Sequence, residues 1–192
     1  PGINMEVLPQ LAESWTTTAD DTWIFNIRRG VTFHDGSSLT AGDVAFSVNR
    51  AKTAPSDMVD LIKSVKSARA IDDHTVEIKT DGPNPILLNQ LTQIFVMSEA
   101  WSKANGCEAS YNWDAGETSY CASNANGTGP FEITFREQDV RTVFEKNDNW
   151  WGNHYTHNID KIELLPIKND ATRVAALLSG EIDYTNVVPV QD

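Results

Sequence analysis

Hydrophobic and polar residues alternate with a period of two in the first part of the chain. This pattern is typical of β-strands with one buried face. The alternation is clearest over Trp23, Phe25 and Ile27. It predicts a hairpin of two strands, at 11–18 and 22–28. A further short strand, over Val31 and Phe33, and a polar turn, His34-Asp35-Gly36, precede the first helix.

The apolar positions then change to helical spacing, three or four residues apart. Thr40, with Asp43 three residues later, is typical of a helix N-terminus, so we expect the first helix to begin at Thr40. A second helix is predicted after the Pro55-Ser56 pair. Its apolar residues fall on a single stripe: Met58, Leu61, Ile62 and Val65.

The middle of the chain is predicted to contain a second hairpin, two short helices and a short apolar strand. These elements are strands at 69–71, 75–80 and 94–97, and helices that begin at Pro85 and Ser98. Gly106 ends the second of these helices, because glycine is favoured just past a helix C-terminus.

The last third of the chain predicts an antiparallel pair followed by a βαβ unit. Strands are expected at 131–136, 140–146 and 161–167, and a strand-like segment at 182–188. Asn169 or Asp170 caps the helix between the last two, and Gly180 ends it. The helix carries Ala171, Val174, Leu177 and Leu178 on one face. A parallel pair with a right-handed crossover follows, so we expect a mixed α/β fold: a mixed sheet with hairpins and a C-terminal βαβ unit.

Charge and hydropathy exclude two classes of partner. The net charge is -12, from 15 basic and 27 acidic residues. Nucleic-acid binding needs clustered lysine and arginine, and an anionic membrane surface disfavours an acidic protein. No apolar run is long enough to span a bilayer, so we expect no membrane insertion of this segment.

The two cysteines, Cys107 and Cys121, lie on either side of a polar segment that has little core of its own. A disulfide would close this loop, contribute about 3 kcal/mol in the chain-entropy model, and imply an oxidising compartment. Two unrelated free thiols are the alternative. A zinc site is not favoured, because the paired CxxC motifs that it prefers are absent.

A search for chemistry finds no convincing catalytic, metal or cofactor motif. His34 beside Asp35 could form half of a triad, but Asp-Gly after a strand is usually a turn. His154 and His157 stand three apart in a polar segment that favours a solvated surface over a metal site. The pattern Gly127-x-Gly129 is too short for a phosphate-binding loop. We therefore predict no enzyme, no metal and no cofactor.

Six stretches in this order resemble a known family. They are LAESW at 11–15, RRGVTFHDG at 28–36, TAGDV at 40–44, GTGPF at 127–131, NWWG at 149–152 and LLSGEID at 177–183. Together they resemble the signature of the family 5 extracytoplasmic solute-binding proteins, the peptide- and nickel-binding receptors of bacterial ABC importers. Two positions depart from the family pattern: Gly42, where an acidic residue is more usual, and Trp150, where tyrosine often precedes the final tryptophan.

The resemblance implies an architecture. Family members are much longer, and they fold as two lobes that close on a ligand, as type II-like periplasmic binding proteins do. The matches imply that residues 1–192 form a partial first lobe, with 40–125 a possible helical and hairpin subdomain and with the second lobe absent. Residues 1–9 also read as the middle of a longer chain, so we expect a piece of a larger protein.

The resemblance also implies a function. We expect the substrate-binding component of an ABC importer, which binds peptides and delivers them to a membrane permease, in the periplasm or lipid-anchored outside the cytoplasm. Nickel chelates or opine-type solutes are the alternative ligands. Loops at strand ends are the candidate binding segments. Their residues are Gln93, Ile94, Phe95, Asn126, Thr128 and Gly129. We interpret His34 and Asp35 as architectural.

Two rival functions belong to other classes. One is a hydrolase that uses an undetected carboxylate site, which an acid/base pair in a deep pocket would favour. The other is an interaction or regulatory module built on the same lobe. A shallow face with aromatic residues at its rim would instead favour half of a two-lobed receptor.

Overall fold

The computed structural model describes residues 6–152 and 158–189, which form two antiparallel sheets with short helices between and beside them. The strands are β1 Ala12–Ala19, β2 Thr22–Ile27, β3 Val65–Asp72, β4 Thr75–Thr80, β5 Phe131–Glu137, β6 Arg141–Lys146 and β7 Lys161–Leu164. The helices are α1 Ala41–Ala51, α2 Leu87–Leu91, α3 Glu99–Ala104 and α4 Asp170–Ser179, with one 3-10 turn at Tyr120–Ala122. The mixed α/β fold class is confirmed.

The first sheet has the strand order β1-β2-β4-β3, and every neighbouring pair is antiparallel. Phe25 shows how its register buries one face, since it lies opposite Trp15 on one side and Val76 on the other. Phe25 and Ile27 are buried, whereas Asn26 between them is exposed. The period-two pattern therefore predicted both the strand and its buried face.

The main core lies on the face of this sheet that α1 covers. Ala45 and Val48 of α1 are buried there, and Leu87 of α2 is fully buried. The largest fully buried side chains are Phe33, Ile62, Ile78, Leu87, Val31, Val65 and Val76. Two of them, Val31 and Phe33, belong to the connection between β2 and α1, which is thereby fixed to the core.

Asp43 fixes the start of α1, as the sequence predicted, and also reaches α3. Its carboxylate Oδ2 accepts hydrogen bonds of 2.8 Å from the backbone N–H and from the hydroxyl of Thr40. Its Oδ1 accepts a third, of 2.8 Å, from the backbone N–H of Glu99 at the start of α3. Asp43 is only 7% exposed, so three donors depend on one buried carboxylate.

The predicted helix after Ser56 is wrong. Residues 57–64 form consecutive turns, in which Val59 N–H donates to Ser56 and Val65 N–H donates to Ile62. Val65 already belongs to β3, where it pairs with Thr80. A helix of two turns is marginal on its own, so pairing along a longer β3 prevails. Ile62 and Val65 are nevertheless buried, as the stripe predicted.

The predicted strand at 94–97 is also absent, because this segment has no ladder partner among the described residues. The backbone N–H of Met97 donates instead to the hydroxyl of Ser47 on α1, at 2.8 Å. The helix that follows begins at Ser98, as predicted, and the Ser98 hydroxyl accepts from Trp101 N–H.

The second sheet has the order β5-β6-β7 and is antiparallel throughout. Asn169 caps α4, and Gly180 follows it with a φ of 76°. The strand predicted at 182–188 is wrong, since this segment pairs with no strand in the described part of the chain. The Arg173 side chain donates to the Val187 carbonyl instead and holds this segment beside α4. The described strands therefore contain no parallel pair, and the βαβ unit lacks its last strand.

The apolar face predicted for α4 is only partly covered. Ala176 is buried and Val174 and Leu177 are half-buried, but Leu178 is 83% exposed. β7 is exposed along its whole length and ends before Pro166, which cannot donate to a ladder. The end of the described chain thus presents apolar side chains that the described residues do not cover.

Cys107 and Cys121 form the predicted disulfide. Arg50, in the last turn of α1, donates from Nε to the Cys107 carbonyl at 3.0 Å and from Nη2 to the Ala109 carbonyl at 3.2 Å. The base of the cysteine loop is therefore attached to α1. The expected division of the chain at about 40–125 stays a prediction, and His154 and His157 lie outside the described residues.

We expect Asp43→Ala to lower the free energy of unfolding by about 2 kcal/mol, because α1 loses its cap and two backbone N–H groups lose their acceptor. Urea unfolding measures the change. Asp60→Ala is the matched control: the Asp60 side chain is exposed and bonds to nothing among the described residues, so the change should stay within about 0.5 kcal/mol. Equal urea midpoints for the two variants would contradict this role of Asp43.

Candidate functional site

The segment Asn126–Gly129, which we call the 126–129 loop, lies between the cysteine loop and the start of β5. The turn at 34–36 holds this loop through what we call the loop–turn contact. The His34 backbone N–H donates to the Gly127 carbonyl at 2.9 Å. The His34 ring bridges the same loop, with Nδ1 3.3 Å from the Gly127 N and Nε2 3.1 Å from the Gly129 carbonyl oxygen.

Asp35 and Asn126 complete the loop–turn contact through reciprocal hydrogen bonds. The Asp35 N–H donates to Asn126 Oδ1 at 3.1 Å, and Asn126 Nδ2 donates to Asp35 Oδ2 at 2.8 Å. Asn126 is 6% exposed. Its amide is thus committed to the fold, which makes Asn126 a structural residue of the candidate site.

The Asp35 carboxylate is held in its charged form. Partial burial by itself raises the pKa of this carboxyl. Hydrogen bonds from the hydroxyl and backbone N–H of Ser37 and from the amide of Asn126 outweigh that effect, so the pKa lies below its ordinary value. The contact is therefore strongest when Asp35 is ionised.

The second sheet holds the other side of the 126–129 loop. Trp151 Nε1 donates to the Thr128 carbonyl at 2.9 Å, and Asn147 Nδ2 donates to the Gly129 carbonyl at 3.1 Å. The Asn147 N–H also donates to the Pro130 carbonyl at 2.8 Å. The Arg28 guanidinium, just past β2, lies 5.0 Å from the centre of the Trp151 ring, a cation–π contact with the segment that follows β6.

The 126–129 loop has backbone donors that the described residues leave unpaired. The carbonyls of residues 127–130 all accept hydrogen bonds within the fold. Among the described residues, the backbone N–H groups of Thr128 and Gly129 donate to no partner, and the Thr128 hydroxyl makes no hydrogen bond. Free backbone amides in a loop can bind the carbonyl or carboxylate groups of an extended peptide.

The second candidate segment, Gln93 to Phe95, follows α2. Phe95 is 85% exposed, which is unusual for a phenylalanine, and Gln93 is also exposed. Ile94 is half-buried and packs against the core, so it faces away from solvent. Gln93 and Phe95 are therefore the members of this segment that can reach a ligand.

Both segments are attached to α1 and the turn before it. His34 and Asp35 hold the 126–129 loop, while Ser47 bonds to Met97 just after Phe95. No hydrogen bond joins the two segments to each other within residues 6–152 and 158–189. The 126–129 loop and the segment 93–95 are therefore both held by α1 and the turn before it, but no hydrogen bond between described residues joins them to each other.

A mainly apolar cavity of about 260 Å³ opens beside the core. β1, β2, α1 and α2 line it with residues that include Trp15, Val48 and Leu91, and Ile94 adds to its wall. Its surface consists mainly of core side chains, so it has few polar groups with which to orient a peptide. No residue of the 126–129 loop lines this cavity.

The described part of the chain contains no group of three or more histidine, cysteine, aspartate or glutamate side chains that could hold a metal ion. None of its helices is both long and apolar enough to cross a bilayer.

Two features of the site were not evident from the sequence. The architectural role predicted for His34 and Asp35 agrees with the structure, but their partner, 91 to 95 residues further along, was not predicted. Trp151 of the NWWG stretch packs against the core and on Arg28, and the hydrogen bond from its indole to the 126–129 loop was likewise not predicted. The order of the motifs was the only signal that linked these segments.

A rigid α/β scaffold that holds loops with free backbone donors has the features of a solute-binding domain. The comparison with known families agrees. The model "Bacterial extracellular solute-binding proteins, family 5 Middle" matches residues 6–192. The chain belongs to this family, which consists of solute-binding proteins and not of enzymes.

Individual relatives support the assignment. The chain is 28% identical over 169 residues to the dipeptide-binding protein of Escherichia coli K12, an alignment that covers 77% of the chain and 30% of that protein. The ABC transporter-associated periplasmic binding protein DppA of Helicobacter pylori, solved with the peptide STSA, is 26% identical. It superimposes with a TM-score of 0.72, over 93% of this chain and 37% of DppA.

A third similarity concerns the fold alone. NikZ of Campylobacter jejuni, solved with Ni(L-His), superimposes with a TM-score of 0.77 at 22% identity, over 91% of this chain and 34% of NikZ. The chain spans about a third of the length of the relatives it matches. The structure thus corresponds to part of the solved solute-binding proteins that it matches.

We expect the loop–turn contact to weaken as the pH falls below about 4. Asp35 has a lowered pKa in the fold, so its stabilising effect is complete above the unfolded value of about 3.9 and is lost as the pH falls through the folded value. The NMR shifts of the Asn126 side-chain amide, followed from pH 7 to pH 2, measure this. The Asp35→Asn variant is the control: the same shift changes in that variant would assign the transition to another group.

Proposed function

We propose that the full-length protein is the substrate-binding component of an ABC importer. It binds peptides between two lobes and delivers them to a membrane permease. The observation that carries this proposal is the family match over residues 6–192, together with 26% identity to a peptide-bound relative across 93% of the chain. Ligand binding stabilises the closed arrangement of the lobes, and the permease recognises that arrangement.

The geometry of the 126–129 loop supports peptides as the ligand class. An extended peptide presents carbonyl groups and a terminal carboxylate, all of which accept hydrogen bonds. The free N–H groups of Thr128 and Gly129 are suitable donors for them. An exposed aromatic ring such as Phe95 adds apolar contact with peptide side chains.

The proposed binding residues are Gln93, Ile94, Phe95, Asn126, Thr128 and Gly129. They divide into two roles. Phe95, Gln93 and the backbone of Thr128 and Gly129 face the ligand. Ile94 and Asn126 support them from the core and from the loop–turn contact.

The proposed location is the periplasm, or the outer face of a membrane with a lipid anchor. The disulfide supports this, because disulfides persist in oxidising compartments. DppA of Helicobacter pylori is named as periplasmic and as associated with an ABC transporter, which supports the same location and a permease as partner.

Nickel chelates and opine-type conjugates are the second ligand class. The superposition on NikZ, with a TM-score of 0.77, supports nickel chelates as an alternative ligand class, since the same fold binds Ni(L-His) in NikZ and a peptide in DppA. Such ligands also carry carboxylates, which accept from the same free N–H groups. Ligand screening therefore has to include both classes.

We expect a peptide pool to raise the melting temperature of the full-length protein. A ligand at 100 times its Kd stabilises the folded state by about 2.7 kcal/mol. Thermal unfolding is measured with dipeptides, tripeptides, longer peptides, nickel chelates and opine conjugates in separate samples. A higher melting temperature with the chelates or conjugates alone would make these, and not peptides, the ligand class. An unchanged melting temperature with every pool would contradict the receptor function.

We expect Phe95→Ala to weaken peptide binding about tenfold, because the variant loses an aromatic contact to the ligand. The melting temperature without ligand should hardly change, since Phe95 is 85% exposed. Ile86→Ala is the matched control: Ile86 is 58% exposed and lies outside both candidate segments. Calorimetric titration measures the Kd of each variant, and equal affinities would remove Phe95 from the site.

A further inference from the structure

The loop–turn contact has a feature that the family assignment does not explain: one imidazole ring spans the 126–129 loop. We propose that neutral His34, with its proton on Nε2, is a positioning residue that sets the ligand-facing donors of this loop. The inference rests on the proposed function, because it assigns His34 a role at that same site. His34 acts through the loop and does not touch the ligand.

The two ring contacts assign the tautomer. The Gly127 backbone N–H can only donate, so Nδ1, 3.3 Å away, has to carry a lone pair. The Gly129 carbonyl can only accept, so Nε2, 3.1 Å away, has to carry the proton. A single uncharged tautomer satisfies both contacts, and the imidazolium ion satisfies only the second.

The same two contacts lie on either side of the free donors. His34 binds the N–H of Gly127 and the carbonyl of Gly129, and the unpartnered N–H groups of Thr128 and Gly129 lie between those two atoms along the chain. Trp151 and Asn147 hold the carbonyls of the loop from the second sheet. The ring therefore restricts the peptide planes that carry the free N–H groups.

Loss of the ring should change ligand affinity, because a donor that is not fixed in advance has to be ordered when the ligand binds. The hydrogen bonds from Trp151 and Asn147 to the carbonyls of Thr128 and Gly129 do not involve His34 and remain in place without it. Without the ring, we expect the loop to keep its position next to β5, but the N–H groups of Thr128 and Gly129 to lose their fixed orientation.

The test uses the full-length protein and the peptide pool that gives the largest thermal shift. His34→Ala removes both contacts, His34→Asn keeps an acceptor near the Nδ1 position, and His34→Gln keeps a donor near the Nε2 position. We expect His34→Ala to raise the Kd about tenfold and the two half-mimics to give intermediate values. Asp43→Ala controls for stability, since it should lower the melting temperature without affecting the 126–129 loop.

Imidazole ¹⁵N NMR on the unaltered protein gives a readout that stability alone does not move. The expected spectrum shows a protonated Nε2 and an unprotonated Nδ1 at neutral pH. A proton on Nδ1 would overturn the proposal even if His34→Ala fails to fold.

The remaining outcomes separate the two hypotheses. A Kd for His34→Ala, or for both half-mimics, within twofold of the unaltered protein would overturn the positioning role and leave the receptor function standing. A Kd that rises equally in Asp43→Ala would also overturn it, since lost stability would then explain the effect. Failure of the unaltered protein to bind any pool would overturn both proposals.

Discussion

The fold of the described chain depends on one constraint: the carbonyl groups of the 126–129 loop need hydrogen-bond partners between the turn at 34–36 and the segment that follows β6. Buried carbonyl and N–H groups without partners cost free energy comparable to a lost hydrogen bond. The turn at 34–36, between β2 and α1, supplies partners on one side, and Asn147 and Trp151, after β6, supply them on the other. The loop is therefore held by two parts of the chain that are far apart in sequence.

Local structure was predictable where local chemistry decides it. Thr40 was recognised as a helix N-cap, and the cap of α4 was narrowed to Asn169 or Asp170, because the acceptors and donors involved lie within one turn of the chain. Predictions failed where distant pairing decides. The apolar stripe near Ile62 is compatible with a helix, yet β3 extends to Val65 because β4 offers a partner. The segment at 182–188 is compatible with a strand, but it lies beside α4 through Arg173.

The candidate site illustrates the same limit. A histidine before Asp-Gly carries no local sign of its partner, since the atoms that it binds belong to residues more than 90 positions away. Asp43 was recognised as part of a helix start, but its bond to Glu99 depends on where α3 packs. The resemblance to a family located the segments that matter. It did not reveal that the loop–turn contact holds the 126–129 loop, because motif order does not specify hydrogen bonds.

The asymmetry of the 126–129 loop connects its structural role with its proposed use. Its carbonyls from 127 to 130 accept hydrogen bonds within the fold, so among the described residues only N–H donors on the backbone of Thr128 and Gly129 are left unpaired. A loop with free donors favours ligand groups that accept, and peptide carbonyls, terminal carboxylates and carboxylate chelates all do so. Ligand classes that differ in shape can then share one scaffold. Under the proposed function, selection among them falls to side chains such as Phe95 and to parts of the longer protein outside these residues.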